Sequence, residues 1–160
     1  MNAIVADHMA TNPILIRADA SLTDAAELMD RHHVHGVPVV DHAGVLVGVL
    51  SQSDLNRARS TEYLWVNWPG LAVRHLMTSP AITIHRSTPL IVAARKMEQH
   101  EIRRLVVVED GDETTPIGVL SMTDLIHALA NETAAHHPGE PSGHRTHATS
   151  DGVPAESPTR

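Results

Sequence analysis

Cysteine and phenylalanine are absent from this chain of 160 residues, and Tyr63, Trp65 and Trp68 are its entire aromatic content. Without cysteine there is no disulfide scaffold, no thiolate zinc site and no cysteine nucleophile. The lack fits a reducing cytosol, so the expected location is cytoplasmic. Lysine is nearly missing as well: eleven of the twelve basic residues are arginine, with Lys96 the exception. Arginine's planar fork donates hydrogen bonds in pairs and suits phosphate. A formal net charge of −7 argues against a dedicated binder of nucleic-acid backbones. No run approaches the ~18–20 apolar residues that cross a bilayer. The opening MNAIVADHMATNP has neither a basic stretch nor a long apolar core, so neither a signal peptide nor a membrane partner is expected. There is no G-x-S-x-G turn and no glycine-rich phosphate loop, so an enzyme is not expected.

What is present is a repeat. GVLSQSDL begins at Gly48 and GVLSMTDL at Gly118. The match extends upstream, with Leu22/Leu90, Ala25/Ala93, Ala26/Ala94, Met29/Met97 and Val34/Ile102 all 68 positions apart. The closing motifs are 70 apart because DGDETTP is a longer turn than DHAG. Similarity held at a nearly fixed spacing means two copies of one supersecondary unit.

Each copy can be read locally. Leu22, Ala25, Ala26 and Met29 follow the i, i+3, i+4, i+7 pattern of a helix with one buried face. Ser21 with Asp24 predicts a capping box at its start. In the second copy Thr88 is the expected N-cap, with Pro89 in the first helical position. Two β-branched runs split by an Asp/Gly turn then read as a hairpin, GVPVV with VLVGVLS and RLVVV with PIGVLS. A second helix closes the unit, a short extended piece (PILI or AITI) precedes the first helix, and a helical turn (VADHM or VRHLM) leads the copy. The expected fold is α+β: two β-α-β-β-α repeats packed sheet to sheet with pseudo-twofold symmetry, the core being the interface between copies. The boundaries are repeat one at 1–60, an aromatic connector at 61–72, repeat two at 73–131 and a polar tail at 132–160. That tail, rich in Pro, Gly and Ser/Thr, is expected to be disordered.

The order M-x-x-x-P, amphipathic helix, h-x-h-P-V-V-D, G-h-h-S-x-x-D-h resembles the cystathionine-β-synthase-type (CBS) domain. Two in tandem resemble a CBS pair, or Bateman module, over about residues 4–130. The resemblance implies a non-enzymatic regulatory module, commonly a homodimer, that signals to a separate effector protein. It also implies an adenosine-containing ligand (AMP, ADP, ATP, NAD or S-adenosylmethionine) held between the sheets, with no required cofactor.

Ser51 with Asp54, and Ser121 with Asp124, sit where a strand ends and a helix begins. Capping boxes alone would explain both pairs. The resemblance adds a second role, in which the carboxylate accepts from ribose hydroxyls and the helix N-terminus attracts phosphate. It also implies an adenine slot made by Ile14, Val37 and Pro38 in the first copy and by Ile82, Leu105 and Val106 in the second. Val106 departs from the proline the family often carries there. Arg103 and Arg104 stand where related nucleotide sensors carry His or Arg, against His35 in the first copy. Their alternative role is surface ion pairing with Glu98, Glu101 or Glu109. Arg57 and Arg59 are weaker phosphate candidates.

Two clusters are left over. His32, His33 and His35 lie in a helix-to-strand connection, and His136, His137, His144 and His147 lie in the tail. Neither has the fixed ligand spacing of a metal site, so no metal is expected; the alternatives to a nucleotide-binding module are a ligand-free scaffold or interaction module and, behind it, a His-based metal sensor. The aromatic connector TEYLWVNWPG has three open roles: covering an end of the core, anchoring a partner, or stacking on a ligand base.

Overall fold

The computed structural model describes residues 2–135. The two copies form two sheets. In the first, β2 (Ile16–Arg17) runs parallel to β3 (Gly36–Val40), which pairs antiparallel with β4 (Leu46–Ser51). In the second, β5 (Thr83–His85) runs parallel to β6 (Arg104–Glu109), which pairs antiparallel with β7 (Asp112–Ser121). Helix α1 (Leu22–His32) lies between β2 and β3 in the chain, and α2 (Gln52–Ser60) follows β4. Their counterparts are α4 (Leu90–Gln99) and α5 (Met122–Ala135), while α3 (Glu62–Val66) belongs to the connector. This is the expected α+β, β-α-β-β-α repeat. Helix α5 runs to Ala135, past the expected boundary at 131, and the rest of the tail, with His136, His137, His144 and His147, lies outside the described residues.

The helix starts differ in detail from the sequence pattern. Ser21 Oγ accepts from Asp24 N at 3.0 Å, which is one half of a capping box. In the second copy the N-cap is Pro89, not Thr88, and it offers no side-chain acceptor. The first helical N–H there, of Leu90, donates instead to the Ala3 carbonyl at 3.0 Å. A helix end without a cap must find acceptors elsewhere, and this one finds them in the other copy's leading segment.

That exchange runs through the whole molecule. The turn Val5–Asp7, which leads copy one, docks on copy two: Val5 N donates to Thr88 O at 2.8 Å and Ala6 N to Arg86 O at 2.9 Å. Strand β1 (Ala10–Thr11) then pairs antiparallel with β7, Ala10 opposite Val119 and Thr11 opposite Gly118. In return Val73 N donates to Ala20 O at 2.9 Å, and Thr78 exchanges hydrogen bonds with Val49 at 2.9 and 3.0 Å. Each copy therefore carries the other's leading segment.

The hydrophobic core is not one layer between copies, as the repeat alone suggested, but two clusters. Ile16, Leu22, Ala25, Met29, Val37, Val39, Leu50 and Leu55 form one, completed by Val73 from the second copy's leader. Ile84, Leu90, Ala93, Met97, Leu105, Val107, Leu120, Leu125 and Ala128 form the other, completed by Val5 from the first. Strand side chains alternate between faces, so Val37, Val39, Leu105 and Val107 face the helices. Pro38, Val40, Val106 and Val108, also buried, turn to the other side of their sheets, and β4 and β7 approach each other where the sheets meet. No helix among the described residues is long and apolar enough to cross a membrane.

Candidate functional site

The two Ser-x-x-Asp motifs fold as near-identical capping boxes. At the first, Ser51 N and Ser51 Oγ both donate to Asp54 Oδ2 at 2.8 Å, and Asp54 N donates to Ser51 Oγ at 3.2 Å. At the second, Ser121 N and Ser121 Oγ donate to Asp124 Oδ2 at 2.7 and 2.8 Å, with Asp124 N on Ser121 Oγ at 3.2 Å. Capping occupies Oδ2 of each carboxylate; Oδ1 of Asp54 accepts from Arg57, while Oδ1 of Asp124 has no partner among the described residues. The structural and the ligand roles are therefore compatible.

Both boxes open onto one cleft of about 1050 Å³ between the two units. Its volume sits at the upper end of the ~300–1,000 Å³ typical of small-molecule sites. Ser51, Asp54, Ser121, Asp124, Arg103, Arg104, His35, Ile14 and Ile82 all line it, together with His32 and the exchanged segment Ala10–Pro13. Val37, Pro38, Leu105 and Val106 do not line it. Val37 and Leu105 are fixed in the two cores by strand alternation, and Pro38 and Val106 are buried on the opposite sheet faces. Those four side chains therefore do not face this cleft, whose apolar walls come from Ile14, Ile82, Val34, Val49, Ile102 and Val119.

The electrostatics differ at the two ends. Asp54, 8 % exposed, receives Arg57 Nη2 on Oδ1 at 2.6 Å. The Arg57 side chain is 73 % exposed, so solvent screens the pair, and such contacts contribute about 0–1 kcal/mol. Asp124 accepts nothing on Oδ1 from a described residue, since position 127, which corresponds to Arg57, holds an exposed His that does not reach it.

Arg104 was not paired as a surface residue would be. Among the described residues the side chain of neither Arg103 nor Arg104 forms an ion pair or hydrogen bond; Glu109 is taken by Arg86 at 3.2 Å. The Arg104 side chain lies flat against Gly36, so that a Cβ there would meet its Nη1 at 2.7 Å and its Nε at 2.9 Å. Gly36 is paired with Ser51 in the hairpin. The guanidinium of the second unit thus crosses to the Asp54 end of the first. Burial pulls its pKa below the ordinary value, Arg103 beside it adds to that, and Asp54 opposes them. A half-buried cation with no bonded acceptor has donors left over that an anion can satisfy. The sequence reading missed Gly36, although it stands 68 positions before Arg104 and is its symmetry counterpart.

The other candidates resolve as follows. Arg59 sits over the Trp68 ring, 5.3 Å from its centroid, and away from the main cleft. Trp68 Nε1 donates to Thr23 Oγ1 at 3.1 Å and the ring packs on the first core, which is the covering role. Trp65 is 56 % exposed. Among the described residues no group of three or more His, Asp and Glu side chains is placed to hold a metal.

Two β-α-β-β-α units that exchange leading segments, with two helix N-termini facing one shared cleft, define a tandem-repeat α+β module. The model of the CBS domain matches residues 5–61 and again 73–131, and the chain belongs to the CBS-domain family. It is 30% identical to the CBS domain-containing protein YhcV of Bacillus subtilis, over 81% of this chain and 89% of that one. It is 34% identical to homoserine O-acetyltransferase of Methanocorpusculum labreanum over 76% of this chain, but spans only 23% of that protein's length. Among solved structures it is similar to CBSX2 in complex with AMP, at a TM-score of 0.68 and 32% identity, covering 81% of this chain and 98% of the other. CBSX2 from Arabidopsis thaliana is similar at a TM-score of 0.69 and 30% identity, covering 84% and 99%.

Proposed function

We infer that the protein is a regulatory CBS pair, not an enzyme, that binds an adenosine-containing nucleotide in the cleft and reports it to a separate effector protein in the cytoplasm. The observation that carries this reading is the cleft itself, where two capped carboxylates and two unpaired arginines face one space of ligand size. The AMP complex of CBSX2 supports the ligand class, and YhcV, matched over 89% of its length, is a relative that consists of little more than this pair. Ribose hydroxyls would donate to Asp54 or Asp124, while phosphate would meet Arg103, Arg104 or the helix N-termini. The ligand acts by binding one arrangement of the two units, or of a dimer, more tightly than another.

A homodimer through the second unit fits the surface. Ile91, Val92, Ile126 and Leu129 on α4 and α5 are exposed, where the matching positions of α1 and α2 hold Thr23, Asp24, Asn56 and Arg59. Replacing Ile126 and Leu129 with Glu should convert the dimer to monomer in sedimentation; a parent chain that is already monomeric refutes the dimer.

The nucleotide reading is tested by thermal denaturation with AMP, ADP, ATP, NAD and S-adenosylmethionine. At about 100 times its dissociation constant a ligand adds ~2.7 kcal/mol, which raises Tm by about 5–10 °C for a fold of this size. No shift from any of the five, on well-folded protein, overturns the reading.

A further inference from the structure

The two ends of the cleft are related by the repeat, yet three matched positions differ in charge. Arg104 of the second unit corresponds to Gly36 of the first, Arg103 to His35, and Arg57 of the first to His127 of the second. The structure makes the difference spatial. Arg104 reaches across onto Gly36 at the Asp54 end, where Arg57 also sits. At the Asp124 end the symmetry-matched position is that same glycine, which has no side chain to send back, and Asp124 Oδ1 meets no cation among the described residues.

Resting on the nucleotide reading above, we propose that the two ends sort adenosine ligands by charge: the Asp54 end takes a 5′-phosphorylated adenosine and the Asp124 end takes one without phosphate. A phosphate at the Asp54 end supplies the acceptors that Arg104 lacks, and charge-assisted bonds of this kind are the strong ones. It also draws off the exposed Arg57, which frees Asp54 Oδ1 for the ribose. A phosphate at the Asp124 end would be brought near an uncompensated carboxylate, and like charges in a partly dry cleft repel. An uncharged or cationic 5′ substituent carries no such penalty there. Arg104 and Gly36 are the specificity-determining pair, because the guanidinium of Arg104 lies at the Asp54 end while the matched Gly36 offers no cation to the Asp124 end.

The test is isothermal titration of the full chain with AMP and with adenosine. The site removed by Asp54→Asn should bind AMP at least about tenfold more tightly than adenosine, as expected for charge-assisted hydrogen bonds to one arginine. The site removed by Asp124→Asn should bind adenosine at least as well as AMP. Arg104→Gln should bring the AMP-to-adenosine ratio at the first site close to one. The exchange variant Gly36→Arg/Arg104→Gly should carry the preference for phosphate to the Asp124-dependent site, and it keeps the test open if Arg104→Gln fails to fold. A ratio unchanged in a folded Arg104→Gln, or a preference that stays put in the exchange variant, overturns the charge sorting while leaving nucleotide binding intact. If neither ligand binds the parent chain, nucleotide binding itself falls, and the charge sorting with it.

Discussion

Val5→Asp should cost more than about 3 kcal/mol, and the loss should appear in the far half of the chain. Val5 is fully buried and completes the cluster of Leu90, Met97, Leu105 and Leu120, all in the second unit. Removing a buried valine forfeits about 1.5–3 kcal/mol of apolar burial, and a carboxylate without a partner in that place adds several more. The substitution also threatens the hydrogen bonds from Val5 N and Ala6 N to Thr88 and Arg86. Hydrogen exchange should therefore accelerate in α4 and β6 before α1 and β3. Val73→Asp should show the reverse, because Val73 completes the first unit's core. Faster exchange in α1 than in α4 for Val5→Asp would mean that the leading segments are not exchanged.

The glycines of the repeated GVLS motif carry the second prediction. Gly48→Ala and Gly118→Ala should each cost about 1–3 kcal/mol, the usual range for overpacking, or very roughly 2–8 °C in Tm per kcal/mol. A Cβ at Gly118 would stand 2.8 Å from the Ala10 carbonyl oxygen and 2.9 Å from Met9 Sδ. At Gly48 the clash is with the Thr78 oxygen at 2.7 Å and Met77 Sδ at 2.9 Å. Backbone oxygens in a strand pairing cannot swing away as a side chain can. Gly70 is the control: no atom lies within 4 Å of a Cβ there and its φ is not in the left-handed region. Gly70→Ala should thus be neutral or mildly stabilising, because alanine has less unfolded-state entropy to lose. Equal losses at all three positions would remove the exchanged segments as the reason for the motif.

These glycines show where reading the sequence stops. Their recurrence was plain, and it identified a duplicated unit, but the letters around Gly118 do not say that Ala10 passes beside it. The same limit applies to the adenine slot. Val37 and Leu105 have the apolar character expected of a ligand wall, and so does every core strand; their face is set by alternation relative to the helices that cover the sheet. For Arg103 and Arg104 the sequence left ion pairing with Glu98, Glu101 or Glu109 open; among the described residues neither side chain forms such a pair, and Glu109 engages Arg86.

What the sequence determined by itself is whatever depends on neighbours a few residues apart: the stripes Leu22–Met29 and Leu90–Met97, the hairpins, the two Ser-x-x-Asp helix starts and the repeat that joins them. Periods of 3.6 and 2 are properties of the local backbone and survive in the letters. Only the tertiary structure decided which core Val5 and Val73 fill, and that Arg104 lies on Gly36 beside Asp54. Two copies with nearly the same apolar faces offer each leading segment two similar docking sites, so the choice rests on contacts between residues as far apart as Val5 and Thr88. Such contacts leave no periodic trace in the chain, because their cost and their reward appear only when the two units meet.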